Sequence, residues 1–597
     1  MNRPISGRHV DVVVRVPRLA VDRPFTYRLP EGMGAGPGSL VEVPFHGRTV
    51  QAWVIGDAAE IPPRVSQVRR AVSAIRFFDE RLVALARALS HRYLIPLSVV
   101  IDRAIPPRTV SEENVPAGPP APVPTTFPAG RLDVYRPGFA RTIEATGGAG
   151  GYLVRPLPHD ESDLLVEAVG RCLLGGRDAI VLVPQAEPVP HAARALAEAF
   201  GDAVALFLGG EPRERYRTWL DILGGRYRVV VGTRPAVFAP VHALGLVWVH
   251  REAHAGHREE RSPSWHVRDV ALLRASMEGA VGVAAGLFPS AEALVPGKLF
   301  VARAARSEEQ RAWPIVEAVK PGPEGRAPRI LQGVRDAGSG FLMASRPGYG
   351  VARVCRSCKE PAACARCEGA LEQHKGVVRC AVCGAEGVCA NCGARDFGVQ
   401  RRGAERVAEW AARVASVTVR EADGPPDGRG ITVGTPASVP DAGPRELDLV
   451  GVLDADRMLR RPGLSGAERV VATWFEAAAW ARPRPSGRVI IETAEPGDPA
   501  VQALVRNEPW LFMRADSERR AAAGFPPGYP VFRVVGTAEM AAGIAELAPV
   551  NLLVSEAGDE RVCLVTVSPD ALDAFVARIR EWARSGEVRR VEAEPHL

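Results

Sequence analysis

No apolar run reaches the ~18 residues that a membrane-spanning helix needs, and the opening MNRPISGRHVDVVVRV holds no apolar core of signal-peptide length. The expectation is a cytoplasmic chain with no membrane partner. Neither sign of charge dominates: 75 Lys and Arg stand against 69 Asp and Glu, a formal charge of +6. That excess admits a nucleic-acid partner without requiring one. Lysine is scarce beside arginine, while Gly (59) and Pro (52) are frequent; this is the bias of a GC-rich genome and carries no functional reading. Cysteine is rare, with 10 in 597 residues. A reducing compartment makes clustered cysteines metal ligands rather than disulfides.

The rare cysteines are concentrated. Eight of the ten fall between Cys355 and Cys392, as four Cys-x2-Cys knuckles. Thiolates bind Zn²⁺ tetrahedrally and two knuckles complete a site, so the pattern predicts two Zn²⁺ per chain. Sequential pairing joins the first two knuckles and the last two. Nested pairing joins Cys355, Cys358, Cys389 and Cys392, with Cys364, Cys367, Cys380 and Cys383 as the inner set. Nesting is the preferred reading, because the hairpin-like ALEQHKGVVRC separates the inner knuckles. Four thiolates leave no open position, so both sites read as structural, and metal supplies folding energy that so small an insert lacks. His374 reads as a surface residue, and Cys172 and Cys563 as core.

The length predicts several domains. Residues 9–57 read as strands broken by Gly and Pro, a small β-barrel or sandwich, followed by a helix over 79–94. PPRTVSEENVPAGPPAPVPTTFPAG is a Pro-rich linker that builds no core. From about 150 to 295, apolar runs such as AIVLVP, RVVVGT and LGLVWVH alternate with amphipathic helices, which predicts a parallel sheet covered on both faces. GITVGT, LDLVGVLDAD and RVIIET form a second such block, and the last ~70 residues read as a small α+β module.

Six segments, in order, resemble the primosomal protein N′ family, the replication-restart DNA helicases of bacteria. They are VPRLAVDRPFTYRLPEGMGAGPGSLVEVPF, GTRPAVFAP, RPGYGVARVCRSC, GVLDADRMLRRPGLSGAERV, RRAAAGFPPGYP and the closing VEAEPHL. The resemblance implies a multidomain α/β protein. Its parts are a 3′-end DNA-binding domain (1–105), a linker (106–145), RecA-like helicase lobe one (146–300) and lobe two (325–500). A zinc-binding insert (353–398) interrupts lobe two, and a C-terminal α+β domain (501–597) follows. It implies recognition of stalled or abandoned forks and reloading of the replicative helicase. The implied partners are forked and single-stranded DNA, primosome or helicase-loading proteins and single-stranded DNA-binding protein.

The motor chemistry departs from that family. A phosphate-cradling loop needs a Gly-Lys-Ser/Thr run, yet GGAGGYLVRPLPHDESDLLVEAV has none. Gly147, Gly148, Gly150 and Gly151 precede the strand-like YLV and read as a flexible turn. Pro158, His159, Asp160 and Glu161 stand where the loop should enter its helix, and acidic groups there repel a triphosphate. After LGLVWV, where the family carries Asp-Glu-Glu-His, stand His250, Arg251, Glu252 and Ala253. A His cannot replace an oxygen ligand at a hard Mg²⁺ site. The run HREAHAGHREE reads as surface charge. Of the two γ-phosphate-sensing arginines the family implies, the first falls on Ala479 and the second is kept as Arg482. The chain therefore resembles the actinobacterial branch, in which helicase motifs are eroded, and the winged helix of longer members is missing or reduced. The expectation is a fork-binding protein with no catalytic residue and no ATP turnover. The rivals are an active ATP-dependent 3′–5′ helicase with unusual motifs and a zinc-ribbon adaptor that binds only protein.

The family's pocket for a 3′-terminal nucleotide falls on Phe25, Thr26, Gly47 (or His46) and Arg69, with Thr26 where an Asp is expected. An aromatic ring can stack on a base and a glycine lets backbone approach. Tyr27 reads as core. Arg69 with Arg70, and Arg401 with Arg402, are candidate phosphate contacts.

Overall fold

The computed structural model describes residues 8–145, 150–259, 264–322, 326–345, 350–360, 362–367, 369, 371–374, 377–380, 383–401, 404–422 and 424–595. The valine alternation of HVDVVV places Val10, Val12 and Val14 in one core with Tyr27, Val41, Val43 and Val54. Burying each such side chain is worth about 1.5–3 kcal/mol. The strands make one six-stranded sheet in which His9–Val14 lies between Phe25–Arg28 and Arg48–Asp57. Ser39–Phe45 pairs antiparallel with Arg48–Asp57. The turn between them is His46-Gly47, at φ 45° and 76°, the two left-handed residues that a type I′ hairpin demands. Asp79 caps the next helix, Glu80–Tyr93, by accepting from the N–H groups of Arg81 and Leu82.

The Pro-rich segment does more than connect. Its first part is held to the next unit by Arg213–Glu112 at 2.6 Å and Tyr216 Oη–Glu113 at 2.8 Å. Its second part forms two short helices, Leu132–Tyr135 and Phe139–Glu144, whose Leu132, Tyr135, Phe139 and Ile143 are buried. The fully buried carboxylate of Glu167 accepts from the N–H groups of Gly130, Arg131 and Leu132. The expectation that this segment joins no core is therefore corrected. Proline governs only the stretch up to about residue 128, and four large apolar groups follow it.

Seven parallel strands form the next sheet, in the order Phe300–Arg303, Gly150–Arg155, Val281–Ala285, Leu244–His250, Asp178–Leu182, Val229–Gly232 and Val204–Phe207. Gly150 and Gly151 belong to the second of these strands rather than to a turn; Gly147 and Gly148 lie outside the described residues. A second parallel sheet runs Ile315–Val319, Arg488–Glu492, Leu449–Val452, Ser339–Met343, Gly430–Gly434 and Val419–Glu421. Between Met343 and Val419 the chain leaves this sheet to build the cysteine-rich insert, a four-stranded antiparallel sheet that includes Gly350–Cys355 and Phe397–Arg401. The C-terminal strands Val531–Gly536, Asn551–Ala557, Glu560–Thr566 and Val588–Ala593 form an antiparallel sheet. Its helix Leu572–Ser585 returns to the N-terminal unit, where Arg580 pairs with Asp22 at 2.6 Å.

Candidate functional site

The two parallel sheets meet where a strand, a loop and a helix would cradle phosphate. The strand Gly150–Arg155 ends, Pro156 to Asp160 form the loop, and the helix Glu161–Leu174 begins. A phosphate loop works through its backbone N–H groups. Here Pro156 and Pro158 have none. The N–H of Leu157 donates to Tyr135 Oη at 2.9 Å, and the N–H of Asp160 donates to the Leu157 carbonyl. Tyr135 Oη in turn donates to Asp160 Oδ2 at 3.1 Å. Laid on the Gly-x4-Gly-Lys-Ser/Thr pattern, Arg155 takes the first Gly, Asp160 the second, Glu161 the Lys and Ser162 the Ser/Thr. No lysine stands in the loop or in the first turn of the helix, which Glu161 opens.

Beside this loop the strand Leu244–His250 ends at an imidazole, and Arg251 follows it. Arg251 sits at φ 53°, a left-handed conformation rare for a long side chain and a mark of local strain. Its guanidinium lies 3.3 Å from Glu161, 3.4 Å from Asp441 and 3.9 Å from Glu476, and all four side chains are at most 11% exposed. His250 Nε2 lies 3.2 Å from Asp441 Oδ2. Asp441 and Glu476 come from the second sheet unit, so the cluster crosses between the two. The backbone joins in: the N–H of His191 donates to the Asp441 carbonyl, and that of Ala192 to its Oδ2 at 3.1 Å.

Burial works against every charge in this cluster, and the partners decide the outcome. For Arg251 the carboxylates of Glu161, Asp441 and Glu476 overcome burial and hold the guanidinium charged. Arg251 and His250 likewise outweigh burial at Asp441 and push its carboxyl well below the usual range. His250 is raised, because Asp441 outweighs the burial that would neutralise it. At Glu476 burial wins, reinforced by Glu161 and Asp441 over the opposing Arg251, and the carboxyl is pushed up to about 7.

Glu252 is fully buried and bonded through both oxygens. It accepts from Arg268 at 3.0 Å, from the Ser290 N–H at 2.6 Å and from Ser290 Oγ at 2.8 Å. The histidines that follow are not surface charge, which corrects that expectation. His257 is fully buried, its ring nitrogen meets the His250 carbonyl at 2.7 Å, and burial lowers it to about 3. His254 is lowered by burial to about 4. Ala479 is buried, and Arg482 is bound to Asp448.

The eight clustered cysteines resolve into the nested sets. The sulfurs of Cys355, Cys358, Cys389 and Cys392 lie within 4.8 Å of one another, and so do those of Cys364, Cys367, Cys380 and Cys383. The closest pairs are 3.4 to 3.6 Å apart. A disulfide needs about 2.05 Å, whereas four sulfurs about 2.3 Å from a central Zn²⁺ stand about 3.8 Å apart. The donor set and its spacing fit zinc. The backbone repeats: the N–H groups of Cys355, Cys364, Cys380 and Cys389 donate to the carbonyls of Glu360, Gly369, Ala385 and Ala394, each five residues on. In three knuckles the residue after the second cysteine is left-handed: Lys359, Gly384 and Gly393. The side chain of His374 lies outside the described residues.

In the N-terminal sheet, alternation sends Phe25 and Thr26 to opposite faces. Phe25 packs edge-on to Phe45, ring centroids 5.1 Å apart, and lies 5.0 Å from the Arg23 guanidinium. Tyr27 is core, its hydroxyl donating to the Pro44 carbonyl. Gly47 at the hairpin tip has open space where a Cβ would stand. Thr26 Oγ1 donates to Asp11 Oδ1 at 2.8 Å across the strand pair, a carboxylate that sequence reasoning missed. Its signal was a lone acid inside a valine strand. Arg69 is exposed and makes no ion pair among the described residues, whereas Arg70 is bound to Glu42 at 2.8 Å. The Arg401 side chain and Arg402 lie outside the described residues.

A family model described as the 3′DNA-binding domain (3′BD) of PriA matches residues 11–106. The chain is 31% identical over 572 residues to a probable replication restart protein PriA of Mycobacterium leprae, covering 88% of this chain and 87% of that relative. The chain belongs to the PriA family. It is also 27% identical over 587 residues to the replication restart protein PriA of Treponema pallidum, covering 88% and 86%. Among solved structures, the Escherichia coli DExH-box NTPase HrpB is similar over 62% of this chain and 42% of that one, at 14% identity and a TM-score of 0.33. Within the PriA family the N-terminal sheet is thus the DNA-binding unit, and the cysteine insert interrupts the second parallel sheet of a multidomain α/β chain. No helix among the described residues is long and apolar enough to cross a membrane.

Proposed function

We propose that this PriA-family protein is a replication restart factor that grips DNA forks through its 3′ DNA-binding unit without fuelling strand separation. The two parallel-sheet units are read as RecA-like helicase lobes kept as scaffold. The reading rests on one observation above the others: Glu161, which opens the helix after the loop, is bonded to Arg251, which follows the strand Leu244–His250. A motor must bind and release nucleotide between its lobes. Here the space is held by ion pairs, two prolines and a tyrosine.

In this reading the 3′-end DNA-binding domain, residues 1–105, binds the DNA, with Phe25, Thr26, Gly47 and Arg69 at the 3′ terminus. The two zinc ions per chain are structural, one held by each nested cysteine set, and when bound they fix the insert rather than react. Primosome or helicase-loading proteins and single-stranded DNA-binding protein are the expected partners, met at forks on the nucleoid. The test is a titration of fork DNA with and without a free leading-strand 3′ end. The expected result is salt-dependent binding, at least tenfold tighter with the end present. Equal affinity for both forks would remove 3′-end recognition from the reading.

A further inference from the structure

We infer that Glu161, His250 and Asp441 form a binding site for a first-row divalent cation held between the two parallel-sheet units. Each offers one ligand atom, and the three atoms lie within 4.8 Å of one another. His250 and Asp441 are each 2% exposed, and Glu161 is 11% exposed. Glu161 Oε1 is buried and has no partner, and His250 Nε2 has only the Asp441 carboxylate, 3.2 Å from its Oδ2. Buried acceptors left unmade are expensive. Arg251 does not fill the position. It meets Glu161 through Oε2 and Asp441 through Oδ1. It therefore engages one oxygen of each carboxylate; Asp441 Oδ2 faces the histidine and Glu161 Oε1 is left without a hydrogen bond.

That division resembles a ligand shell with its outer support. Metal-bound carboxylates are themselves hydrogen-bonded, and the backing group orients them. One imidazole with two carboxylates suits Zn²⁺, Mn²⁺, Fe²⁺ or Co²⁺ better than Ca²⁺ or a thiophilic ion. Ligand bonds of about 2.0–2.2 Å place donors some 3–3.5 Å apart. The His250–Asp441 pair is already at 3.2 Å. With His250 neutral, as a metal ligand must be, the two carboxylates outnumber the one guanidinium and leave a net negative charge for a cation to meet. Nothing here needs nucleotide. The inference goes beyond fork binding and stands or falls apart from it, because its readout involves no DNA.

The test uses the full chain with zinc retained in its cysteine sites, titrated with Co²⁺. Bound metal is counted, the visible spectrum recorded and thermal unfolding followed. The expected result is one saturable Co²⁺ per chain. It should show weak ligand-field bands without new thiolate-to-cobalt absorption, and a raised Tm. Asp441→Asn and Glu161→Gln should each weaken uptake at least tenfold. Glu161→Gln preserves shape and serves if the first variant fails to fold. No saturable uptake beyond the cysteine sites, as water alone in the cluster would give, overturns the inference. So does equal uptake by wild type and Glu161→Gln.

Discussion

Glu161 and Arg251, 90 residues apart, bond at 3.3 Å, and the proposed reading puts them where a nucleotide-driven motor would hold phosphate and metal. The pair inverts the expected charges, a cation opening the helix and an acid closing the strand. A single lost lysine would leave a weakened site. Two reversals that satisfy each other make a different structure, an ion cluster that ties one sheet unit to the other through Asp441 and Glu476.

Arg251→Ala should be strongly destabilising, by about 3–5 kcal/mol, because it strands buried carboxylates without their counter-charge. Glu161→Gln combined with Arg251→Gln should cost less than the sum of the single changes, with a coupling of about 0.5–3 kcal/mol. Chemical denaturation of the four proteins measures it. Strict additivity would mean that the pair contributes nothing.

Glu476 makes stability depend on pH in a stated direction. Its carboxyl is raised from 4.5 to about 7, first by burial. The folded chain therefore binds a proton that the unfolded chain has lost between those values. The stability linked to that proton is full below about pH 4.5 and is lost as pH rises through 7, by up to about 1.4 kcal/mol per unit. Glu476→Gln mimics the protonated form, so its Tm relative to wild type should climb from pH 5 to pH 8. A flat difference would count against the buried carboxyl.

Each cysteine set should lose its own ion. Cys380→Ser should leave one zinc per chain, retained by the outer set, and Cys355→Ser should leave one retained by the inner set. Metal analysis of each variant checks this. Loss of both ions from either variant would show that the two sites fold as one.

Arg69→Ala should weaken fork binding evenly and reduce the salt slope by about one. Phe25→Ala should act mainly on forks with a free 3′ end. Asp11→Asn, which keeps the Thr26 partner but removes its charge, should lower the preference for that end. Fluorescence titrations at several salt concentrations separate the three outcomes.

Local patterns were legible in the sequence; distant pairings were not. The knuckle spacing and the hairpin between Cys367 and Cys380 favoured nested sets over sequential ones, and the eight sulfurs group in that way. The missing Gly-Lys-Ser/Thr run and the His-Arg after LGLVWV were visible as departures. Their mutual repair was not, because Asp441 and Glu476 lie roughly 190 to 230 residues further along the chain. The strands Ile315–Val319 and Ser339–Met343 were missed, since each is a short apolar run with no alternation to mark it. Tyr135 was absorbed into a proline-rich stretch, and the polarity of HREAHAGHREE hid the full burial of His257. Tertiary context decided both.

ATP hydrolysis at saturating fork DNA addresses the central claim directly. A chain whose phosphate site is an ion cluster should show no DNA-stimulated turnover above background. Steady turnover at ordinary enzyme rates of about 1–10³ s⁻¹, abolished by Glu252→Gln, would contradict it.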